Sequence, residues 1–243
     1  MERRRRQSED ERGGEGIAAA YLVHWLTASG AVLGFLALEA VIGGDLRAAF
    51  GWLAIALVVD AIDGPLARLI RITETAPRYD GRILDSVVDY LTYVLVPAAM
   101  LLQPEVMPHP HGLIAGVVIA GASALYFADT KMKSADGWFN GFPALWNIVL
   151  FHIVLFRPGE VVSLAAIAVL IVLMFAPVRF VHPLRVRALR LLSVSLAILW
   201  LMAAGWSVWQ KFQPDVITRS VLIVVGVYFF LLGLLIRSKK QDE

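Results

Sequence analysis

The sequence predicts an all-α fold, a transmembrane bundle of about eight helices, and two observations support that prediction. First, 58% of the 243 residues are hydrophobic and the mean hydropathy is +0.70, too apolar for an ordinary soluble domain. Second, nearly uncharged stretches recur along the whole chain at about the 20-residue length that a helix needs to cross a bilayer core. The predicted spans are 17–42, 46–70, 83–103, 112–128, 139–156, 160–176, 188–207 and 217–236.

The distribution of positive charge predicts that both termini are cytoplasmic. With the N-terminus inside and eight spans following, the inside segments carry 18 of the 22 Lys and Arg residues. The outside segments carry the other 4, Arg47, Arg157, Lys211 and Arg219. This asymmetry is the pattern of the positive-inside rule.

Three regions are predicted: a basic cytoplasmic arm over 1–16, a transmembrane domain over 17–236 and a cytoplasmic tail over 237–243. The arm is expected to lie solvated near anionic lipid headgroups. It lacks the short apolar core and cleavage site of a signal peptide, so we expect the first span to stay in the mature protein. The net charge of +2 gives no indication of nucleic-acid binding, and the absence of cysteine excludes thiolate and disulfide chemistry.

Four aspartates stand out in this apolar background: Asp60, Asp63, Asp85 and Asp89. The first two are three residues apart and the last two are four apart, so each pair lies on one face of a helix. The second and third spans are antiparallel neighbours, which brings both pairs towards their cytoplasmic ends. We expect the four carboxylates to point at one region between these two helices.

Carboxylates this close in a membrane cannot all stay ionised without compensation, and they usually mark a functional site. Divalent cations would compensate them, because all-oxygen ligation suits Mg²⁺, Mn²⁺ or Ca²⁺. Protons would also do so, as in a carrier. A purely structural interpretation pairs individual aspartates with the nearby arginines Arg68, Arg71, Arg78 and Arg82.

Small residues and one arginine favour a ligand site beside the aspartates. Gly64 and Ala67 leave a shallow helix surface that a flat group can approach, although small residues also serve helix packing in membranes. Arg68 can hold two phosphate oxygens with its planar guanidinium. Together with metal ions, these residues indicate a nucleotide diphosphate site.

The residues form one ordered pattern, Asp60-x2-Asp63-Gly64-x2-Ala67-Arg68-x12-Gly81-x3-Asp85-x3-Asp89. This pattern resembles the signature of the CDP-alcohol phosphatidyltransferases, and eight positions match in kind and order. The twelve residues between Arg68 and Gly81 are more than most members have, and resemble the bacterial phosphatidylcholine synthase branch. "VHWLTASGAVLGFLAL" in the first span and "GWFNGFPALWNIVLF" entering the fifth are similar to the same enzymes.

The resemblance implies transfer of the phosphatidyl group of CDP-diacylglycerol to an alcohol, with release of CMP. By position, Asp60, Asp63 and Asp85 would hold two divalent ions, Mn²⁺ or Mg²⁺. Asp89 would complete the metal site and act as general base towards the attacking hydroxyl. The residues implied to contact CDP-diacylglycerol are Gly64, Ala67, Arg68, Gly81, Thr27 in the first span, and Thr73, with Thr75 as the alternative to Thr73.

Choline is the acceptor that the branch implies, and aromatic faces usually hold a quaternary ammonium group. The candidates are Tyr79, Tyr93, Trp138 and Trp146, although interfacial aromatic residues are also common at such depths. The five histidines, His24 among them, show no ligand spacing and are interpreted as structural or surface residues.

Two other functions remain open from the sequence. The same chemistry with serine or another small alcohol is the nearer alternative, and a cation or proton carrier is the remote one. The resemblance further implies a multi-pass protein of the bacterial inner membrane, with its active site facing the cytoplasm among membrane lipids and with a homodimer as a possible assembly.

Overall fold

The computed structural model describes residues 2–70, 75–76, 78–132, 138–180 and 190–236. In these ranges the helices are α1 (Glu2–Ile42), α2 (Leu46–Leu69), α3 (Gly81–Asp89), a π-helical segment (Tyr90–Leu95), α4 (Val96–Met100), α5 (His111–Ala128), α6 (Trp146–Phe156), α7 (Glu160–Phe175), α8 (Arg190–Trp209) and α9 (Val216–Ile236). Two short strands, β1 (Phe139–Asn140) and β2 (Arg179–Phe180), pair antiparallel.

The apolar composition of the helices confirms a multi-pass helical membrane protein. Taking α3, the π-helical segment and α4 as one continuous helix, the described chain contains eight helical spans. Five of them are long and apolar enough to cross a membrane: Gly16–Ile42, Leu46–Leu69, Gly81–Met100, His111–Ala128 and Leu191–Trp209. Shorter apolar helices cover Trp146–Phe156, Glu160–Phe175 and Val216–Leu232.

The helix α1 begins well before the first apolar span. It runs from Glu2, so the backbone of the predicted basic arm is continuous with the membrane helix. The predicted tail, 237–243, lies outside the described residues.

The predicted span 139–156 is wrong over its first part, because the helix begins only at Trp146. Gly141 and Ala144 adopt positive φ angles of 79° and 54°, which no α-helix accommodates. Residues 139–140 instead pair with β2, and a Cβ added at Gly141 would overlap the carbonyl of Met174. The remaining 11 helical residues span about 16 Å, roughly half of a bilayer core.

Close contact between α1 and the third span (α3, the π-helical segment and α4) positions the region of the aspartates. A Cβ at Gly30 would lie 2.6 Å from Cγ1 of Val88, and a Cβ at Gly34 would lie 2.7 Å from Cδ2 of Leu91. Both glycines therefore allow side chains of the third span to reach the backbone of α1, as small residues do at membrane helix contacts.

The helices α2 and α3, which carry the four aspartates of the predicted site, each begin with a further aspartate as N-cap. Asp45 starts α2 by accepting a hydrogen bond from the backbone N–H of Ala48 at 2.9 Å. Asp80 starts α3 by accepting from the backbone N–H groups of Arg82 and Ile83 at 2.9 and 3.4 Å. The bond from Arg82 lowers the pKa of the exposed Asp80 carboxyl, so the cap stays ionised well into the acidic range.

We predict that Gly34→Ala destabilises the protein, because the added methyl group would displace Leu91 from its present position. Overpacking of this kind typically costs about 1–3 kcal/mol. Thermal unfolding of the purified protein in detergent measures the effect. The matched control is Gly51→Ala in α2, where an added Cβ meets no described atom within 4 Å. Equal unfolding midpoints for the two variants would contradict the packing role of Gly34.

Candidate active site

Three of the four aspartates come together between α2 and the third span. Asp60, Asp85 and Asp89 each offer a carboxylate oxygen, and these oxygens lie within 4.8 Å of one another. All three side chains are half-buried. The four-residue spacing of Asp85 and Asp89 puts both on the face of α3 that meets Asp60, as the helical period requires.

Asp63 lies next to this group but points towards a different helix. It is only 5% exposed, and its carboxylate hydrogen-bonds the side chain of Thr27 on α1. It also interacts electrostatically with Asp85. The Thr27 hydroxyl lies 3.2 Å from the carbonyl oxygen of Val23 as well. The first span therefore contributes Thr27 to the aspartate region.

Mutual repulsion makes the three-oxygen group unstable when all its members are charged. Two unit charges at 4.8 Å repel by about 3.5 kcal/mol at an effective dielectric constant of about 20. The summed repulsion of three such pairs is comparable with the free energy of unfolding of a typical domain, about 5–15 kcal/mol. Proton uptake or a bound cation relieves this repulsion. The all-oxygen donor set fits a hard divalent ion such as Mg²⁺ or Mn²⁺.

Two of the nearby arginines have other contacts. Nη2 of Arg82 lies 3.6 Å from Oδ2 of Asp80, and the guanidinium carbon of Arg78 lies 5.6 Å from the ring centre of Tyr79. Arg71 falls outside the described residues. Arg82 therefore neutralises the cap of α3, and Arg78 lies over an aromatic face.

The surface of α2 after Asp63 is open at Gly64, whereas Ala67, predicted to be part of the same shallow surface, packs against neighbours. A Cβ at Gly64 would meet one described atom within 4 Å, Nη1 of Arg68 at the ordinary contact distance of 3.5 Å. Packing within the protein therefore does not require a glycine at this position. Arg68 is exposed, whereas Ala67 packs against the small cluster of Ala20, Val23 and Ala76.

The start of α3 borders a buried histidine that the sequence analysis interpreted as structural. His24 is 6% exposed, and its Nε2 has no hydrogen-bond partner in the structure as described. A Cβ at Gly81 would lie 3.4 Å from its Cε1, and its ring contacts Tyr79 at 5.7 Å between centroids. His24 lies three residues before Thr27, which places both on one face of α1, within the stretch of the first span that resembles the bacterial phosphatidylcholine synthase branch.

The hydroxyl residues expected near the substrate phosphates are only partly described. Thr73 lies outside the described residues. The alternative, Thr75, donates its hydroxyl to the carbonyl oxygen of Ile70 at 3.0 Å.

The four aromatic residues predicted for the acceptor lie in different surroundings. Tyr79 is 49% exposed and contacts Tyr21 and His24. The hydroxyl of Tyr93 donates to Oδ2 of Asp60 at 2.7 Å. Trp146 is fully buried, and its indole Nε1 donates to the hydroxyl of Ser123 at 2.9 Å.

Trp138, the fourth residue, is half-buried and packs with Tyr228 against Leu232 of α9. Tyr93 therefore contacts a member of the aspartate group directly.

Comparison with known proteins places the chain in a family. No protein-family model matches it. The phosphatidylcholine synthase of Brucella melitensis is 39% identical over 216 residues, which cover 89% of this chain and 78% of that protein. Those of Mesorhizobium japonicum and Rhizobium johnstonii are 43% and 38% identical, over 75% and 88% of this chain and 68% and 88% of theirs.

The chain belongs to the phosphatidylcholine synthases. This membership confirms the resemblance to the CDP-alcohol phosphatidyltransferases that the aspartate pattern carries. The similarity to other phosphatidylcholine synthases extends over most of the chain and is not confined to the 30 residues of the pattern.

We predict that Asp85→Asn removes stabilisation by metal without destabilising the metal-free protein. The change removes one ligand oxygen, but it also removes the repulsion of Asp85 against its charged neighbours. An ion at about 100 times its Kd stabilises a folded protein by about 2.7 kcal/mol. Thermal unfolding with Mn²⁺ and with EDTA measures both effects. Glu105→Gln is the control, since this exposed carboxylate lies at the opposite end of the bundle.

A lower unfolding midpoint for Asp85→Asn in EDTA, or Mn²⁺ stabilisation equal to that of the unmodified protein, would contradict this account of the aspartate group.

Proposed function

We propose that the protein transfers the phosphatidyl group of CDP-diacylglycerol to choline and releases CMP. The observation that carries the proposal is the convergence of Asp60, Asp85 and Asp89 in a chain 39% identical to a phosphatidylcholine synthase over most of its length. In the reaction, the choline oxygen forms a bond to the phosphorus of the phosphatidyl group. The bond from that phosphorus to the oxygen of CMP breaks, and the choline hydroxyl gives up its proton.

Asp60, Asp85 and Asp89 would hold divalent metal, with Asp63 completing the ligand set for two ions of Mn²⁺ or Mg²⁺. The close oxygens and the all-oxygen chemistry of the group support this assignment. When bound, the metal would supply Lewis-acid polarisation of the diphosphate and neutralise charge on the departing CMP.

Asp89 would accept the proton of the choline hydroxyl as general base. It is half-buried and opens the π-helical segment, so its carboxylate lies where the third span changes its helical register. The role itself is the one that the resemblance implies for this position.

Gly64, Arg68, Thr27 and Gly81 would contact the CDP moiety. The unexplained glycine at position 64 supports this, because its missing Cβ leaves space beside the exposed guanidinium of Arg68. The partnerless Nε2 of His24 beside Gly81 also favours a polar ligand, since an unsatisfied buried polar atom costs about 1–3 kcal/mol. Thr73 is proposed as a further phosphate contact, and Ala67 as the packing support of this surface.

The diacylglycerol part would lie along the lipid-facing side of the same helices. Ile62, Ile83 and Val87 alternate with the aspartates and are 48%, 65% and 61% exposed. Acyl chains can therefore stay in the bilayer while the diphosphate reaches the carboxylates.

Tyr79 and Trp138 are proposed as the accessible aromatic contacts of choline, with Tyr93 and Trp146 as buried supports. A cation–π contact requires an open ring face. Tyr79 is 49% exposed and Trp138 is half-buried, whereas Tyr93 and Trp146 are 6% and 0% exposed. The negative charge of the aspartate group would attract the quaternary ammonium group in addition.

We place this site at the cytoplasmic face of the bacterial inner membrane. Asp60 and Asp63 lie towards the end of α2, and Asp85 and Asp89 towards the start of the third span, at the side predicted to carry most of the Lys and Arg residues. A homodimer, which the resemblance implies, is a further proposal. Mass measurement of the protein in lipid nanodiscs tests it.

Serine or another small alcohol remains the second candidate acceptor. The reported relatives are phosphatidylcholine synthases, which favours choline and gives a cation or proton carrier no support.

We predict CMP release from CDP-diacylglycerol with choline and metal, and none with serine, glycerol 3-phosphate or inositol. Purified protein in mixed micelles, assayed with Mn²⁺, with Mg²⁺ and with EDTA, tests the acceptor and the metal requirement together. Turnover with serine but not with choline would identify serine as the acceptor, and full turnover in EDTA would refute the metal centre.

We predict that Asp89→Asn lowers kcat by at least about 100-fold, the contribution expected of a general base. Binding of CDP-diacylglycerol, followed in the presence of metal, should change far less. Glu105→Gln provides the charge-matched control at the opposite end of the bundle. A kcat near that of the unmodified enzyme would show that another group accepts the proton.

We predict that Tyr79→Leu and Trp138→Leu raise the KM for choline several-fold and leave the KM for CDP-diacylglycerol nearly unchanged. Each change removes an aromatic face but keeps apolar volume. Trp209→Leu is the control, because this exposed tryptophan lies near the start of α2, about 20 Å along that helix from Asp60. Equal shifts in both KM values would remove these residues from an acceptor pocket.

A further inference from the structure

Tyr93 is bonded to the aspartate group instead of presenting a free aromatic face. Its hydroxyl donates to Oδ2 of Asp60 at 2.7 Å, a short distance typical of a bond to a charged oxygen. The residue is 6% exposed, so its ring lies within the bundle. Of the two groups in this contact, the phenol is the donor and the carboxylate is the acceptor.

The backbone around Tyr93 is specialised. Residues Tyr90–Leu95 form a π-helical turn that begins directly after Asp89, and such turns are frequent at functional sites. Two tyrosine hydroxyls fasten this turn to its neighbours. Tyr90 donates to the carbonyl oxygen of Ala120 on α5 at 2.9 Å, and Tyr93 donates to Asp60 on α2. The turn is therefore held from two sides, and one of its two anchors is an aspartate of the three-oxygen group.

We infer that Tyr93 is a positioning residue that orients the Asp60 carboxylate for metal. This role rests on the proposed metal centre and adds a residue to it that the aspartate signature does not contain. A carboxylate offers about four lone-pair sites, so Oδ2 can accept from Tyr93 while the group still ligates an ion. The bond fixes the plane of the carboxylate, and its donor offsets part of the repulsion from Asp85 and Asp89.

Removing a residue that orients a metal ligand commonly lowers metal affinity by 10- to 100-fold. Orientation of Asp60 is a property of the protein before any substrate binds, so its loss should appear in metal binding itself. The KM for metal should rise, while kcat at saturating metal should change much less.

The test compares Tyr93→Phe with Tyr90→Phe. Both changes remove one hydroxyl from the same π-helical turn and keep the ring, but only the first removes a contact of an aspartate. Binding of Mn²⁺ to the purified full-length protein, without substrate, is followed by the electron paramagnetic resonance signal of free Mn²⁺. We expect the Kd of Tyr93→Phe to rise at least about tenfold, and that of Tyr90→Phe to stay within about twofold. Thermal unfolding in EDTA compares the stability of the two variants.

The outcomes separate this inference from the proposed function. If the unmodified protein binds no Mn²⁺, the metal centre is refuted and the role of Tyr93 falls with it. If the unmodified protein and Tyr93→Phe bind Mn²⁺ equally well, the metal centre stands and the positioning role is refuted. Equal weakening by both variants would also refute it, because the effect would then belong to the π-helical turn as a whole.

Discussion

The electrostatic repulsion among Asp60, Asp85 and Asp89 is the constraint on which the rest of the molecule depends. Carboxylate oxygens within 4.8 Å of one another oppose the approach of α2 and the third span. Packing elsewhere must overcome that opposition. Gly30 and Gly34 contribute by letting α1 touch Val88 and Leu91, on the turns of the third span next to Asp89. The fold thus holds charged groups together that would separate if the helices were free.

Helical spacing made part of this site predictable. Asp85 and Asp89 share a face because their separation is close to one turn, and that relation is fixed by the backbone alone. Asp60 and Asp63, three residues apart, are also separated by nearly one turn, yet a rotation of about 60° between them lets one meet Tyr93 and the other meet Thr27. The direction of each depends on how α2 is turned against two neighbours at once, which is a tertiary property that spacing does not contain.

Hydropathy predicted the number of helical spans but not the shape of the fifth. Residues 139–145 are apolar enough to belong to a membrane helix, and only the backbone angles of Gly141 and Ala144 reveal a turn and a strand pair. The π-helical turn had no sequence signal at all. The surroundings of Trp146 are unpredictable for a related reason, since its indole bonds Ser123 inside the bundle and an apolar span gives no indication of such a partner.

The exposed Ile62, Ile83 and Val87 around the carboxylates have a consequence for how the protein meets its lipid. A site bordered by bilayer receives a lipid by lateral diffusion in two dimensions. Its degree of saturation then follows the mole fraction of that lipid in the membrane and is insensitive to the volume of the surrounding water. If other lipids enlarge the membrane, the mole fraction of the lipid substrate falls, and so does the occupancy of the site, even when the total amount of substrate is constant. The rate of the reaction then depends on the lipid composition of the membrane to which its product is added.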